Sequence, residues 1–194
     1  VLALLTCVPF AVALLFGDLA IAGRYALIIV LLLPLTWFAQ KLPTPSQLQH
    51  NEAMVIVALA FILSPLLMSF PMMASGLSWG EAIFEAISAV TTTGLTTLES
   101  VEELPRSFLF ARAWMQWYGG LGIVVLSVAL LLGHHIASRR LAESTSSESL
   151  ETTARTHARR VLGVYLLLTF LAVVTLLLLG IEPFIAITHA LAAV

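Results

Sequence analysis

The sequence predicts an all-α integral membrane protein made of repeated units, each a spanning helix, a re-entrant half-helix and a second spanning helix, with five spanning helices in all. Three observations carry that prediction. Hydrophobic residues make up 60% of the 194 residues and charged residues 10%, with a mean hydropathy of +1.02, whereas a soluble domain carries about 25% charged residues. The apolar residues gather into stretches of bilayer-spanning length. Between two of those stretches lies a short amphipathic segment that runs into a threonine and glycine tract, Ser88 to Thr97.

The first apolar stretch covers Val1 to Phe16. It starts with neither Met nor a basic region, so no signal peptide is expected and the chain reads as a fragment of a longer protein. The second runs from Tyr25 to Ala39, extends back toward Ile21, carries Pro34 as a kink point and ends at Lys41 and Pro43-Thr44-Pro45. The third runs from Ala53 to Met73 around Ser64-Pro65, a bend that neighbouring groups can satisfy. The fourth covers Phe108 to Leu132 and the fifth Val161 to Leu179. Between these two, Glu143 to Thr153 is rich in Ser, Thr and Glu and reads as a mobile loop.

The half-helix follows the third span. Ser78-Trp79-Gly80-Glu81 is a capping box, in which the Ser78 hydroxyl covers the first turn and Glu81 reaches back. A helix from Trp79 to Val90 is roughly 18 Å long at about 1.5 Å per residue, against about 30 Å of hydrocarbon. It enters the bilayer without crossing it. Its partly negative C-terminal end faces Thr91 to Thr97 and favours a cation there. Irregular backbone at that depth must be buried in protein or line a wet cavity, which makes its carbonyls ligands for a hard ion.

Charge sets orientation and excludes other classes. Lys41, Arg139, Arg140, Arg155, Arg159 and Arg160 outnumber Arg24, Arg106 and Arg112, so the 40–52 and 134–160 loops are expected to be cytoplasmic. The threonine tract then opens outward beside Glu99, Glu102 and Glu103, acids that raise local cation concentration or simply form a solvated loop. A net charge of −2 offers no basic field for nucleic acid, and Cys7, the single cysteine, excludes an internal disulfide. His134-His135 reads as a membrane-interface pair rather than a metal site, and no cofactor is expected in this chain. His-Glu-x-x-His does not occur, and the chain is not expected to be an enzyme.

The chain also resembles itself at one constant offset. Gly76 falls on Gly180, Ala82 on Ala186, Ile83 on Ile187, Glu85 on His189, Ala86 on Ala190 and Ala89 on Ala193. The fifth span therefore starts a second unit.

Two segments, Phe84-Glu85-Ala86-Ile87-Ser88-Ala89-Val90-Thr91-Thr92-Thr93-Gly94 and Arg112-Ala113-Trp114-Met115-Gln116-Trp117-Tyr118-Gly119-Gly120-Leu121-Gly122-Ile123-Val124-Val125-Leu126, resemble the first pore helix and filter, and the following helix, of the Trk/Ktr/HKT superfamily of potassium transporters. The likeness is to the membrane subunit of bacterial Trk-type uptake systems. It implies potassium-channel-like architecture, uptake of K⁺ across the bacterial inner membrane, four such units around one pore, a homodimer in membrane lipid, and a cytoplasmic nucleotide-binding regulatory subunit as partner. The expected layout is 1–49 as two leading helices and a loop, 50–133 as the first complete unit, 134–160 as a cytoplasmic loop, and 161–194 as the opening of a second unit.

In that frame the carbonyls of Thr92, Thr93, Gly94 and Leu95 are the expected filter ligands, with K⁺ at Thr92 and Thr93. Gly94 is read as the filter glycine, against a simple helix-end glycine. Thr91 and Thr96 are expected to brace the loop, and Glu85 to pair with Arg112 or hold filter amides, because an unpaired charge there is costly. Gly119, Gly120 and Gly122 are read as close-packing residues, and Trp79, Trp114, Trp117 and Tyr118 as an interfacial aromatic belt. The alternatives are a secondary transporter binding a solute at a broken helix, or a less selective Na⁺/K⁺ transporter.

Overall fold

A computed structural model describes residues 2–41, 50–100, 103–140 and 148–194, with side chains omitted at 50–54, 125 and 128–158. The described residues are helical and irregular, without strands. The helices are α1 (Leu2–Leu15), α2 (Leu19–Ala39), α3 (His50–Met72), α4 (Trp79–Val90), α5 (Arg106–Arg140), α6 (Glu148–Leu178) and α7 (Pro183–Ala193), with a 3₁₀ turn at Met73–Ser75. The chain forms two compact units, Val1–Gly119 and Gly120–Val194.

Among the described residues, three helical segments are long and apolar enough to cross a membrane: Leu19–Ala39, Val55–Ser75 and Arg159–Leu178. α1, at 14 residues, is shorter. Wide apolar surface stays uncovered, including Val30, Leu31, Leu33 and Leu35 on α2 and Leu167, Phe170 and Leu171 on α6. This is the surface that hydrocarbon covers in a membrane protein.

The helices run further into the polar connections than composition suggests. α2 starts at Leu19 rather than Tyr25. The segment 134–160, expected as a loop, is helical through Arg140 and again from Glu148, so Glu148 to Thr153 is helix rather than loop. Extending a helix already nucleated in the bilayer costs little, and its Ala, Leu, Glu and Arg residues are good helix formers. Pro43-Thr44-Pro45, Glu102, and the side chains of His134, His135, Arg139, Arg140 and Arg155 lie outside the described residues.

In the first unit, α4 lies in a buried cluster of small and sulfur-containing residues. Ala82, Ala86, Ala89 and Val90 pack among Met68 and Met72 of α3, Tyr25 of α2, and Phe108, Ala111 and Met115 of α5. Alanines on one α4 face let neighbouring backbones come close. The leading hairpin is tied to this core by polar bonds: the Trp114 indole donates to the Leu5 carbonyl at 2.9 Å, the Ser107 hydroxyl to Asp18 at 2.5 Å, and Arg24 to the Phe70 carbonyl at 2.9 Å. Trp114 is thus an inter-helix anchor, stacked on Trp117 at 5.1 Å. Trp79 is exposed.

The second unit pairs α6 with α7. Its details parallel those of α3 and α4: Gly180 at φ 80° ends α6 as Gly76 at φ 91° ends the 3₁₀ turn. Ala186 and Ala190 are fully buried, as are Ala82 and Ala86.

Candidate functional site

The sequence around Ser78 builds the start of α4. Glu81 N–H donates to the Ser78 hydroxyl at 3.3 Å, and the Glu81 carboxylate accepts from Ser78 N–H at 2.8 Å. These bonds hold the exposed Glu81 carboxyl below its usual pKa, first through the Ser78 side chain and then through its backbone.

At the other end, α4 stops at Val90 through a Schellman closure. Thr92 N–H donates to the Ala89 carbonyl at 3.0 Å and Thr93 N–H to the Ser88 carbonyl at 2.9 Å. The same closure ends α1, with Gly17 N–H on Leu14 and Asp18 N–H on Ala13, and α6, with Gly180 N–H on Leu177 and Ile181 N–H on Leu176. Those two use glycine at the left-handed position, φ 76° and 80°. α4 uses Thr92 at φ 57°, the single non-glycine positive φ among the described residues. A β-branched residue there carries strain of about 1–2 kcal/mol, and such strain concentrates at functional sites. Two residues on, Gly94 is left-handed as well, at φ 76°. From Thr93 to Leu98 the chain has no regular structure, and Thr91 to Thr97 are all exposed.

Three side chains hold this segment. Glu85, fully buried on α4, accepts from the Thr96 hydroxyl at 2.7 Å, Thr97 N–H at 2.8 Å and the Thr97 hydroxyl at 3.4 Å with one oxygen. Its other oxygen accepts from Arg112 Nε at 2.9 Å. Arg112 Nη2 then donates to the carbonyls of Gly94 at 3.0 Å and Leu95 at 3.1 Å. Ser88 donates its hydroxyl to the Leu95 carbonyl at 2.6 Å. One carboxylate thus both pairs with Arg112 and holds the backbone amide of Thr97.

The expected site residues divide by what their oxygens do. The Leu95 carbonyl accepts from Ser88 and Arg112, which occupies both its lone pairs and turns it toward the scaffold. The Gly94 carbonyl accepts from Arg112 and keeps one lone pair. The carbonyls of Thr92 and Thr93 accept no hydrogen bond from the described residues. Thr91 donates its hydroxyl to the Ile87 carbonyl at 2.8 Å and lies 2.8 Å from the Thr93 hydroxyl, while Thr96 is bonded to Glu85. Ser88, Thr97, Gln116 and Gly119 join the site without having been assigned to it from sequence. Ser88 carried a signal as a residue three after Glu85 on the same helix face, Thr97 as part of the threonine tract, and Gly119 only as a close-packing residue.

Comparison with known proteins bears on this geometry. Residues 20–194 match the TrkH family model, described as a cation transport protein. The chain is 32% identical over 196 residues to the Trk system potassium uptake protein TrkH of Vibrio parahaemolyticus, covering 96% of this chain and 40% of that protein. It is 35% identical over 141 residues to an uncharacterized cation transporter of Methanocaldococcus jannaschii, covering 71% of this chain and 30% of that one. The crystal structure of the potassium transporter TrkH from Vibrio parahaemolyticus superposes with a TM-score of 0.74 at 30% identity, covering 98% of this chain and 40% of that one. The chain thus spans at most about two fifths of the length of these relatives.

Proposed function

Because the chain belongs to the TrkH cation transport protein family, we propose that it contributes one helix, half-helix, helix unit and the opening of a second to a potassium-conducting pore of the bacterial inner membrane. It acts as a transporter, not an enzyme. K⁺ is the cargo, and the carbonyls of Thr92 and Thr93, with the free lone pair of Gly94, replace its water as it passes. The observation that carries this reading is the division of labour along one short segment: Arg112, Glu85 and Ser88 hold Gly94 to Thr97, while the two preceding carbonyls are left without hydrogen-bond partners among the described residues. Oxygen atoms held in place and left unpaired are what a dehydrated cation needs. They lie just past the negative end of α4, which adds attraction.

Gly94 and Leu95, expected as equal ligands, take unequal parts. Leu95 serves as the anchor and Gly94 as the turn. The reading extends to a homodimer with a cytoplasmic nucleotide-binding subunit; relatives named for a Trk system support membership of a multi-component system.

The test is K⁺ and Na⁺ flux into liposomes carrying the full-length protein. At φ 76° a serine at position 94 is strained, even though its Cβ would meet Gln116 Nε2 at an ordinary 3.6 Å. Gly94→Ser should therefore lower the K⁺/Na⁺ ratio about tenfold, equivalent to about 1.4 kcal/mol of differential binding. An unchanged ratio would remove this segment from the selectivity filter.

A further inference from the structure

We propose that Gly119 is a positioning residue for ion selectivity, acting through the last peptide of the half-helix rather than through any ligand atom of its own. The inference rests on the reading of Thr92 and Thr93 as ion ligands. A Cβ built on Gly119 would lie 2.0 Å from the Val90 carbonyl oxygen, 2.8 Å from its carbon and 3.1 Å from its Cα. All three are backbone atoms, which cannot swing aside as the tip of a side chain does. Real Cβ atoms keep beyond 3.0 Å, so one methyl group would displace this peptide by about an ångström.

The place of that peptide gives the contact its meaning. Val90 is the last residue of α4 and is buried. Thr92, two residues on, is already held in a strained left-handed conformation by its bond to Ala89. The Schellman closure that turns the chain into the threonine tract thus starts on the peptide against which Gly119 packs. A shift there passes directly to the carbonyls of Thr92 and Thr93.

Gly119 also lies about two helical turns beyond Arg112, on the same face of α5. Gln116 falls between them, next to Gly94. One face of α5 therefore grips both ends of the segment. Arg112 bonds to Gly94 and Leu95 at the far end, and Gly119 lets α5 sit directly on the near end. The distance between these two grips sets where the intervening carbonyls stand, which makes the absent side chain at 119 part of the selectivity geometry rather than only of helix packing.

The experiment compares K⁺/Na⁺ flux ratios in liposomes for full-length Gly119→Ala, Gly80→Ala and Gly94→Ser proteins. The ratio does not depend on how much protein is incorporated. Gly119→Ala should lower it about tenfold. Gly80→Ala, on the same half-helix with nothing within 4 Å of its Cβ, should keep the native ratio. A native ratio in Gly119→Ala beside a lowered one in Gly94→Ser overturns this inference and leaves the filter reading standing. A native ratio in both overturns both. If Gly119→Ala fails to accumulate, adding Val90→Gly frees the 90–91 peptide to rotate away from the methyl. That double variant should accumulate with a lowered ratio, and a native ratio in it would equally overturn the inference.

Discussion

Arg112 Nε lies 2.9 Å from the Glu85 carboxylate, a pair joining two helices across the base of an otherwise irregular segment. Glu85 is fully buried and the Arg112 side chain is 16% exposed, so each charge depends on the other. The pair has a directional use beyond neutralisation. Glu85 supplies acceptors for the donors of Thr96 and Thr97, and Arg112 supplies donors for the acceptors of Gly94 and Leu95. Two opposite charges thereby satisfy polar backbone on both sides of one turn.

Removing one partner should cost more than a surface ion pair would. Glu85→Ala leaves Arg112 and the Thr97 amide unpaired, and breaking a buried pair costs about 3–5 kcal/mol. The expected outcome is a large fall in the melting temperature of the purified full-length protein. A melting temperature within a degree or two of wild type would show that the segment is held by other contacts.

Arg112→Lys keeps the charge and should still fail. Arginine uses Nε toward Glu85 and Nη2 toward two carbonyls at once, a fork that a single ammonium cannot reproduce. Flux of K⁺ into liposomes should fall at least tenfold at equal protein amount, with the Leu95 carbonyl left to Ser88 alone. Wild-type flux in Arg112→Lys would assign Arg112 a purely electrostatic part.

Thr92→Gly separates stability from selectivity. Glycine relieves about 1–2 kcal/mol of left-handed strain, partly offset by its greater freedom in the unfolded chain, so the melting temperature should hold or rise. If the proposed filter reading holds, the K⁺/Na⁺ flux ratio should drop, because the backbone at Thr92 is no longer fixed by a β-branched side chain. A variant that is less stable yet fully selective would contradict this account of the strain.

Acid should loosen the capping box. The folded-state pKa of Glu81 is depressed by its bonds to Ser78, so its contribution is complete above the usual carboxylate range and is lost as pH falls through the lower folded value. Melting measured from neutral to strongly acidic pH should therefore show less acid-side loss in Glu81→Gln than in wild type. Ser78→Ala should cost about 1 kcal/mol at neutral pH, as for other helix caps. Equal acid dependence in wild type and Glu81→Gln would separate this carboxylate from the acid response.

Much of the architecture follows from the sequence alone because its causes are local. Apolar length defines the spanning helices, Ser78 and Glu81 define where the half-helix begins, and a tract without helix formers defines where it ends. Glycines at 76 and 180 mark matching turns, since left-handed backbone without a Cβ is a property of the residue itself. The pairing of Glu85 with Arg112 was legible as a necessity, because buried charge demands a partner, though not in its geometry.

Only the tertiary structure decided the remaining features, because they depend on distances between helices. That Leu95 points its carbonyl at Ser88 and Arg112 rather than outward follows from where α5 lies against α4. That a threonine rather than a glycine takes the left-handed position after α4 contradicts local propensity, and surrounding contacts must hold it there. The extension of α5 and α6 through polar sequence reflects helix cooperativity, which composition alone underestimates. Gly119 looks like any other glycine of a spanning helix until the carbonyl of Val90 is found where its side chain would be. Local chemistry chose the elements, and close packing between α4 and α5 chose which carbonyls beside them are held by hydrogen bonds.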